Sequence, residues 1–243
     1  MIADLRRLWQ EAFGDTDAFL DGFFTAGFDQ NRHHFIEENG IPVSALYWFD
    51  CELNGEKLAY LYAVATDKKH QGRGFARRLL EETHEILKKQ GYAGAILVPG
   101  SQDLFAMYEK FGYRTVSTVS KFTAQQGSTP VVIKEINAAE FAQLRRQYLP
   151  TGGVLQEGAI LDYLQTYCRF YKGKDFLLSA AEEGDCLIAQ ELLGNADAAP
   201  GILRALDMSQ GAFRTPGNDR KFAMFLPLTE SCPVPDYFGL ALD

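Results

Sequence analysis

Two Asn-Gly pairs, Asn39-Gly40 and Asn54-Gly55, cut the region from His33 to Thr66 into three runs, HHFIEE, VSALYWFDCEL and KLAYLYAVAT. Asn-Gly supplies the two positive-φ residues of a tight hairpin turn whose twist matches that of paired strands. The runs are rich in β-branched and aromatic side chains, which suit a pleated surface. They are therefore expected to form a three-stranded antiparallel meander. Ala45, Tyr47 and Phe49 alternate with Leu46, Trp48 and Asp50. Both faces are apolar enough to require helices on each side.

Helical patterns precede and follow the meander. Residues 3–13 place Leu5, Leu8, Trp9 and Ala12 on one face, and a second helix, capped by Asp15 or Thr16, carries Phe19, Leu20, Phe23 and Phe24. A longer helix from Phe75 to about Gln90 presents Leu79, Leu80, Thr83, Ile86 and Leu87 as a buried stripe, with His84 on a solvated face. AGAILVPG reads as a strand parallel to 58–66, reached by a right-handed crossover. A short helix over 103–110 and a strand near 114–123 follow. QQGSTP (125–130) is polar and turn-rich, which sets an expected boundary between domains 1–125 and 126–243. The second segment shows helical patterns at 138–148 and 157–171, a hairpin at Glu183-Gly184, a helix near 198–206, and strands in AFR, KFAMFLPL and YFGLALD. Its element order resembles that of the first, without a residue-level repeat. The fold class is mixed α/β, an α+β mixed sheet with a smaller α+β unit behind it.

The charge sum, 24 basic against 32 acidic residues, is −8, which removes the global basic footprint of a nucleic-acid binder. Cys51, Cys168, Cys186 and Cys232 form no CxxC pair, so no metal site is expected and reduced thiols are the simplest reading. The N-terminal stretch is too charged for a signal peptide, and no run approaches the ~18 apolar residues of a membrane span. The expected setting is the cytoplasm, with no membrane partner.

Chemistry concentrates in the segment TDKKHQGRGFARR. Gly72 and Gly74 flank Arg73 just before a helix. Glycine lets a ligand approach the main chain, and the first helix amides lack intrahelical acceptors and sit at the positive end of the helix dipole. Together they make an anion site, with Lys68, Lys69, Arg73, Arg77 and Arg78 adding local positive charge. Gly72-Arg73-Gly74 half-matches the dinucleotide fingerprint, but the third glycine is missing and antiparallel hairpins precede it. No GxxxxGK[ST] occurs.

Gln71-Gly72-Arg73-Gly74-Phe75-Ala76 and, downstream, Tyr108-Glu109-Lys110-Phe111-Gly112-Tyr113 resemble motifs A and B of the GNAT superfamily of acetyl-CoA-dependent N-acyltransferases. The resemblance covers roughly residues 1–123. It implies a GNAT fold, acetyl-CoA as cosubstrate, no metal, and a small-molecule or peptide amine as acceptor. It also implies that the main chain of Val64, Ala65 and Thr66 pairs with the pantetheine arm, and that the amides from Gln71, Gly72, Arg73, Gly74, Phe75, Ala76 to Arg77 hold the pyrophosphate. Tyr108 would protonate the departing thiolate. Transfer would then be direct, through a tetrahedral intermediate whose oxyanion a main-chain amide near Val64 to Thr66 stabilises. A non-catalytic acyl-CoA-binding or sensory module is the alternative.

The base is not specified by sequence. Glu37, Glu38, Asp50, Glu52 and Asp67 are candidates that also read as solvated charges, and Tyr60 and Tyr62 read equally as cleft or core. The second segment has no [Q/R]xxGx[G/A] before a helix, so no second CoA site is expected. Its layout is similar to that of tandem GNAT proteins with a degenerate second copy. Some of those use a terminal carboxylate as base, a role not carried to Asp243. Glu182, Glu183, Asp185 and Glu191 read as a solvated acidic hairpin or as an attractor for a cationic amine. LLSAAEE and FAMFLPL are candidate homodimer surfaces.

Overall fold

A computed structural model describes residues 1–242; Asp243 lies outside the described residues. The first segment runs α1 (Ile2–Phe13), α2 (Asp17–Gly22) with a π-helical turn after it, β1 (His33–Glu38), β2 (Ile41–Leu53), β3 (Glu56–Thr66), α3 (Phe75–Lys89), β4 (Gly94–Leu97), α4 (Gln102–Glu109) and β5 (Arg114–Gln125). The second runs β6 (Lys134–Ile136), α5 (Ala138–Tyr148), β7 (Leu155–Gln156), α6 (Ala159–Leu164), β8 (Arg169–Lys172), β9 (Phe176–Glu183), β10 (Cys186–Gly194), α7 (Ala199–Ala205), β11 (Gln210–Pro216) and β12 (Arg220–Pro227). No described helix is long and apolar enough to cross a membrane.

The meander forms as its turns dictate. Asn39, Gly40, Asn54 and Gly55 all take positive φ, and β1, β2 and β3 pair antiparallel. The crossover through α3 sets β4 parallel to β3. Tyr47, Phe49 and Tyr60 pack under α1, α2 and α6, while Leu46, Trp48 and Leu61 pack under α3 and α4. Both sides of the sheet are thus covered, which is why β2 is almost continuously buried.

All named strands but one follow a single path, β1-β2-β3-β4-β12-β5-β11-β10-β9-β8-β6, with β7 added beside β2. Each segment makes a meander, a helical crossover and a parallel strand: β3–α3–β4, then β10–α7–β11. The last strand of each segment then leaves its own neighbours. β5 pairs with β11, and β12 inserts between β4 and β5. The two lengths of chain divided at QQGSTP therefore share one sheet. LLSAAEE and FAMFLPL lie in β9 and β12, which have a neighbour on each side.

Three expectations need correction. The helical pattern over 157–171 resolves into α6, a turn and β8, because Thr166 N–H closes onto the Tyr163 carbonyl and Tyr167 and Cys168 N–H onto the Leu164 carbonyl, releasing the chain into the sheet. Within YFGLALD, the described residues 237–242 form no named strand. They make a buried tail whose Phe238 N–H donates to Ser117 Oγ at 3.0 Å. The solvated reading of His84 also fails. It is 8% exposed and shares a 2.8 Å hydrogen bond with Tyr113 Oη.

Beneath the second segment lies a buried charged network. Arg145 donates from Nε and Nη2 to the two Glu191 oxygens at 2.6 and 2.9 Å, and Tyr237 Oη donates to Glu191 at 3.0 Å. Arg145 also reaches the Val154 carbonyl, and Gln156 Nε2 donates to the Leu240 carbonyl. Satisfying every member is what makes two buried charges tolerable. The network ties α5, β7 and β10 to the tail, so Glu191 is a structural anchor rather than a free acidic charge.

Burial pushes the His84 imidazole pKa from about 6.5 down to about 4. The folded value lies below the unfolded one, so its contribution is full above about pH 6.5 and disappears as pH falls toward 4. Denaturant titrations at pH 7 and pH 4.5 should show a loss on the order of 2 kcal/mol that His84→Gln reduces. Equal pH slopes for the two proteins would contradict it.

Candidate functional site

β3 and β4 pair only at Leu58↔Gly94, Ala59↔Ala95 and Tyr60↔Ile96, and then part. The cause lies on the other edge of β3. Between Ala45↔Ala65 and Tyr47↔Tyr62, β3 carries one residue more than β2. Ala63 takes φ 49°, unusual for a side chain with a Cβ. Such a bulge bends the strand and re-aims its main-chain groups. Past it, Ser44 Oγ donates to the Ala65 carbonyl at 3.0 Å and meets Thr66 Oγ1 at 2.8 Å, holding the strand end on β2. Val64, Ala65 and Thr66 therefore lie on the stretch of β3 that has no β4 partner.

The end of β3 leads into the glycine turn. Asp67 caps a single 3-10 turn by accepting from Lys69 N–H at 2.8 Å, and Gln71 Nε2 donates to the Thr66 carbonyl at 3.2 Å. Gly72 and Gly74 take φ 75° and 84°, and a Cβ built on either meets nothing within 4 Å. The approach to the main chain is open. Phe75, Ala76 and Arg77 form the first turn of α3, and the first backbone bond here runs from Arg78 N–H to the Gly74 carbonyl at 3.0 Å.

The side-chain charges around the turn are less available than the sequence implies. Arg73 pairs with Glu38 at 2.7 Å, Arg78 with Glu82 at 2.6 Å and Arg77 with Glu81 at 3.7 Å. Arg73 also lies over the Phe75 ring and Arg77 over Phe111. His70 sits between Glu38 and Asp67 at 3.0 Å from each. Glu38 is held below the usual carboxylate range by its bond to Arg73. Three of the five basic side chains named from the sequence are thus paired with carboxylates.

At the other end of the parting lies a cavity of about 580 Å³. Val64, Leu97, Val98, Leu104 and Tyr108 form its wall beside the split. Tyr108 is nearly buried, and that burial pushes its phenol up to about 12. It is a neutral proton donor across the physiological range. Tyr60 and Tyr62, which sequence left between cleft and core, line the cavity as well as packing.

None of the carboxylates singled out on the meander reaches this cavity. Glu38 and Asp67 serve the turn; Asp50 accepts from Arg32 at 2.7 Å and from Tyr92 Oη. The carboxylates that line it are Asp15, Glu182 and Glu183. Asp15 read as a helix cap, but Thr16 does the capping, accepting from Phe19 N–H at 3.2 Å. Asp15 instead accepts from Trp9 Nε1 at 2.7 Å. Glu182 and Glu183 were visible as an acidic pair. Their position beside the first segment's cleft follows from the shared sheet, which no local pattern encodes.

The second segment has the same parting without the opening. β10 and β11 pair from Cys186↔Gln210 to Ala189↔Phe213. At the next position Arg214 donates to the Gln190 carbonyl at 2.6 Å and to Gln190 Oε1 at 2.9 Å, bridging the gap. At α7 a Cβ on Gly201 would meet Val131 at 2.6 Å. That crossover is packed shut.

Residues 2–116 match the family described as an acetyltransferase (GNAT) domain. No curated protein sequence matches the chain. Among solved structures, a GCN5-related N-acetyltransferase from Kribbella flavida superposes with a TM-score of 0.68 at 16% identity, over 93% of this chain and 69% of that one. A conserved protein of unknown function from Enterococcus faecalis V583, a probable N-acyltransferase, gives 0.66 at 16% over 93% and 70%. A putative acetyltransferase from Pyrococcus horikoshii gives 0.64 at 13% over 98% and 90%. At these identities the likeness is one of fold. Residues 2–116 match a GNAT domain model, and the mixed sheet has the fold of these structures.

The Ala63 geometry sets one expectation. Ala63→Val puts a β-branched residue at positive φ and should cost about 2 kcal/mol in denaturant unfolding, whereas Ala63→Gly should be neutral or stabilising. Equal stability of the two variants would contradict a strained bulge.

Proposed function

We propose that this chain is an N-acetyltransferase that takes acetyl-CoA as cosubstrate and transfers its acyl group directly to a primary amine. One arrangement carries the reading: β3 and β4 part between an open glycine turn and a cavity whose wall includes Tyr108. A diphosphate fits the amides from Gly72 to Arg77, since both glycines are unobstructed and the helix end favours an anion. An amide-bearing arm fits the free edge of β3 at Val64, Ala65 and Thr66 by strand addition. When bound, acetyl-CoA supplies the activated thioester.

The residues of this chain do the rest. Main-chain N–H groups after the Ala63 bulge are available to a developing oxyanion. Tyr108 holds its proton through neutral pH and can give it to a departing thiolate. The apolar surfaces of Leu97, Val98 and Leu104 exclude water from the transfer point. The buried thiols Cys51, Cys168 and Cys232 have no part in a direct transfer.

Thermal denaturation tests the binding step. CoA at ~100 Kd should stabilise the protein by about 2.7 kcal/mol. Gly74→Glu, which places bulk and negative charge in the turn, should remove that gain while leaving a folded protein. A full CoA shift in Gly74→Glu would refute the turn as the diphosphate site. For the chemical step, Tyr108→Phe should lower kcat by about tenfold or more at near-constant CoA affinity. Parallel losses in both would make the tyrosine structural. CoA binding without thiol release across an amine panel would favour the non-catalytic alternative.

A further inference from the structure

The cavity has a chemical bias that the transfer step does not require. Among the described residues its lining contains three carboxylates, Asp15, Glu182 and Glu183, and no lysine, arginine or histidine. Aromatic rings form a wall from the same lining. Trp9 and Tyr62 stand 5.3 Å apart between centroids, and Phe19 and Tyr167 stand 5.4 Å apart. Carboxylates beside ring faces are the usual surroundings of an organic cation. Glu182 and Glu183 are exposed on the end of β9; Arg169, whose charge reaches Glu182, pairs with Glu135 at 3.0 Å instead.

Proton bookkeeping decides what the charges are for. An amine attacks a thioester only when neutral, and a carboxylate beside it holds it protonated. The wall next to the split, formed by Val64, Leu97, Val98, Leu104 and Tyr108, contains no carboxylate. The three acids belong to other elements: the α1–α2 connection and the end of β9. Their charge suits a nitrogen other than the one that reacts.

We propose that the acceptor is an organic dication with an apolar or aromatic span between its two nitrogens. It rests on the transferase reading above and assigns specificity to Asp15, Glu182 and Glu183. One ammonium releases a proton to solvent and becomes the nucleophile; the other stays charged against the carboxylates and the ring wall. The N–C bond forms first, giving the tetrahedral intermediate, and the thioester C–S bond breaks as it collapses. The electron pair leaves with sulfur, and the second amine proton ends on the thiol. The second segment of the chain thus selects the substrate for the site built by the first.

Matched amines provide the test, with acyl-CoA turnover followed by thiol release. Hexane-1,6-diamine is compared with hexylamine, and p-xylylenediamine with 4-methylbenzylamine. The diamines should exceed the monoamines by about tenfold in kcat/KM, mostly through KM. The preference should fall as salt is raised. In the double variant Glu182→Gln, Glu183→Gln it should shrink toward unity, and in Glu182→Lys it should invert. CoA-induced stabilisation, measured on the same proteins, reports folding and cosubstrate binding separately. Transfer to monoamines and diamines at equal efficiency would overturn this inference and leave the transferase reading standing. A preference that survives the double variant would overturn the assignment to β9. CoA binding without transfer to any amine would overturn both readings.

Discussion

The parting of β3 from β4 is the constraint on which the site depends. Two parallel strands with apolar faces would ordinarily pair along their full length, because unpaired N–H and C=O groups inside a protein are costly. Here three residue pairs form and the rest are withheld. The extra residue in β3 at Ala63 diverts the strand, and its bonds to β2 through Ser44 keep the diverted end in place. What remains is a main-chain edge turned toward a gap, with a glycine turn at one end and a cavity at the other. The strain at one alanine and the unused pairing capacity of one strand are the energetic cost of an opening through a sheet.

The contrast inside the molecule makes this concrete. Both segments contain a meander, a crossover and a parallel strand that separates after a few pairs. In one, the glycines before the helix are unobstructed. In the other, Arg214 spans the gap and Val131 fills the helix entry. The buried Arg145–Glu191–Tyr237 network then braces the closed copy and fixes the tail. Leu242 N–H donates to Tyr60 Oη at 3.2 Å, so the braced tail meets the wall of the open copy. One segment thus braces the other and lends the end of β9 to its cavity wall.

Sequence alone made the meander, the crossover and the glycine turn legible, because each is encoded locally: Asn-Gly at two hairpins, a 3.6-residue stripe in α3, and two glycines at its start. It also led to Tyr108. Long-range features were invisible for a physical reason. Nothing within β5 or β12 states which strand it joins, since a strand pattern specifies a face and not a partner. The acidic pair at the end of β9 could therefore be seen but not placed. His84 misled because its polar identity hid a burial that only the Tyr113 hydroxyl explains. Charges on the turn misled in the other direction: Glu38 reaches Arg73 only once the chain has folded, while Glu81 and Glu82 are i,i+4 partners within α3.

The exchange of β5 and β12 also has a consequence for how the molecule is made. On the ribosome, β4 emerges long before β12, and its open edge must wait for a neighbour that begins only at Arg220. A sheet completed by such remote pairing carries a high contact order and nucleates slowly. Exposed strand edges in the interval invite association with other nascent chains. Chaperone dependence during synthesis, rather than fragility of the finished protein, is where this architecture concentrates its risk.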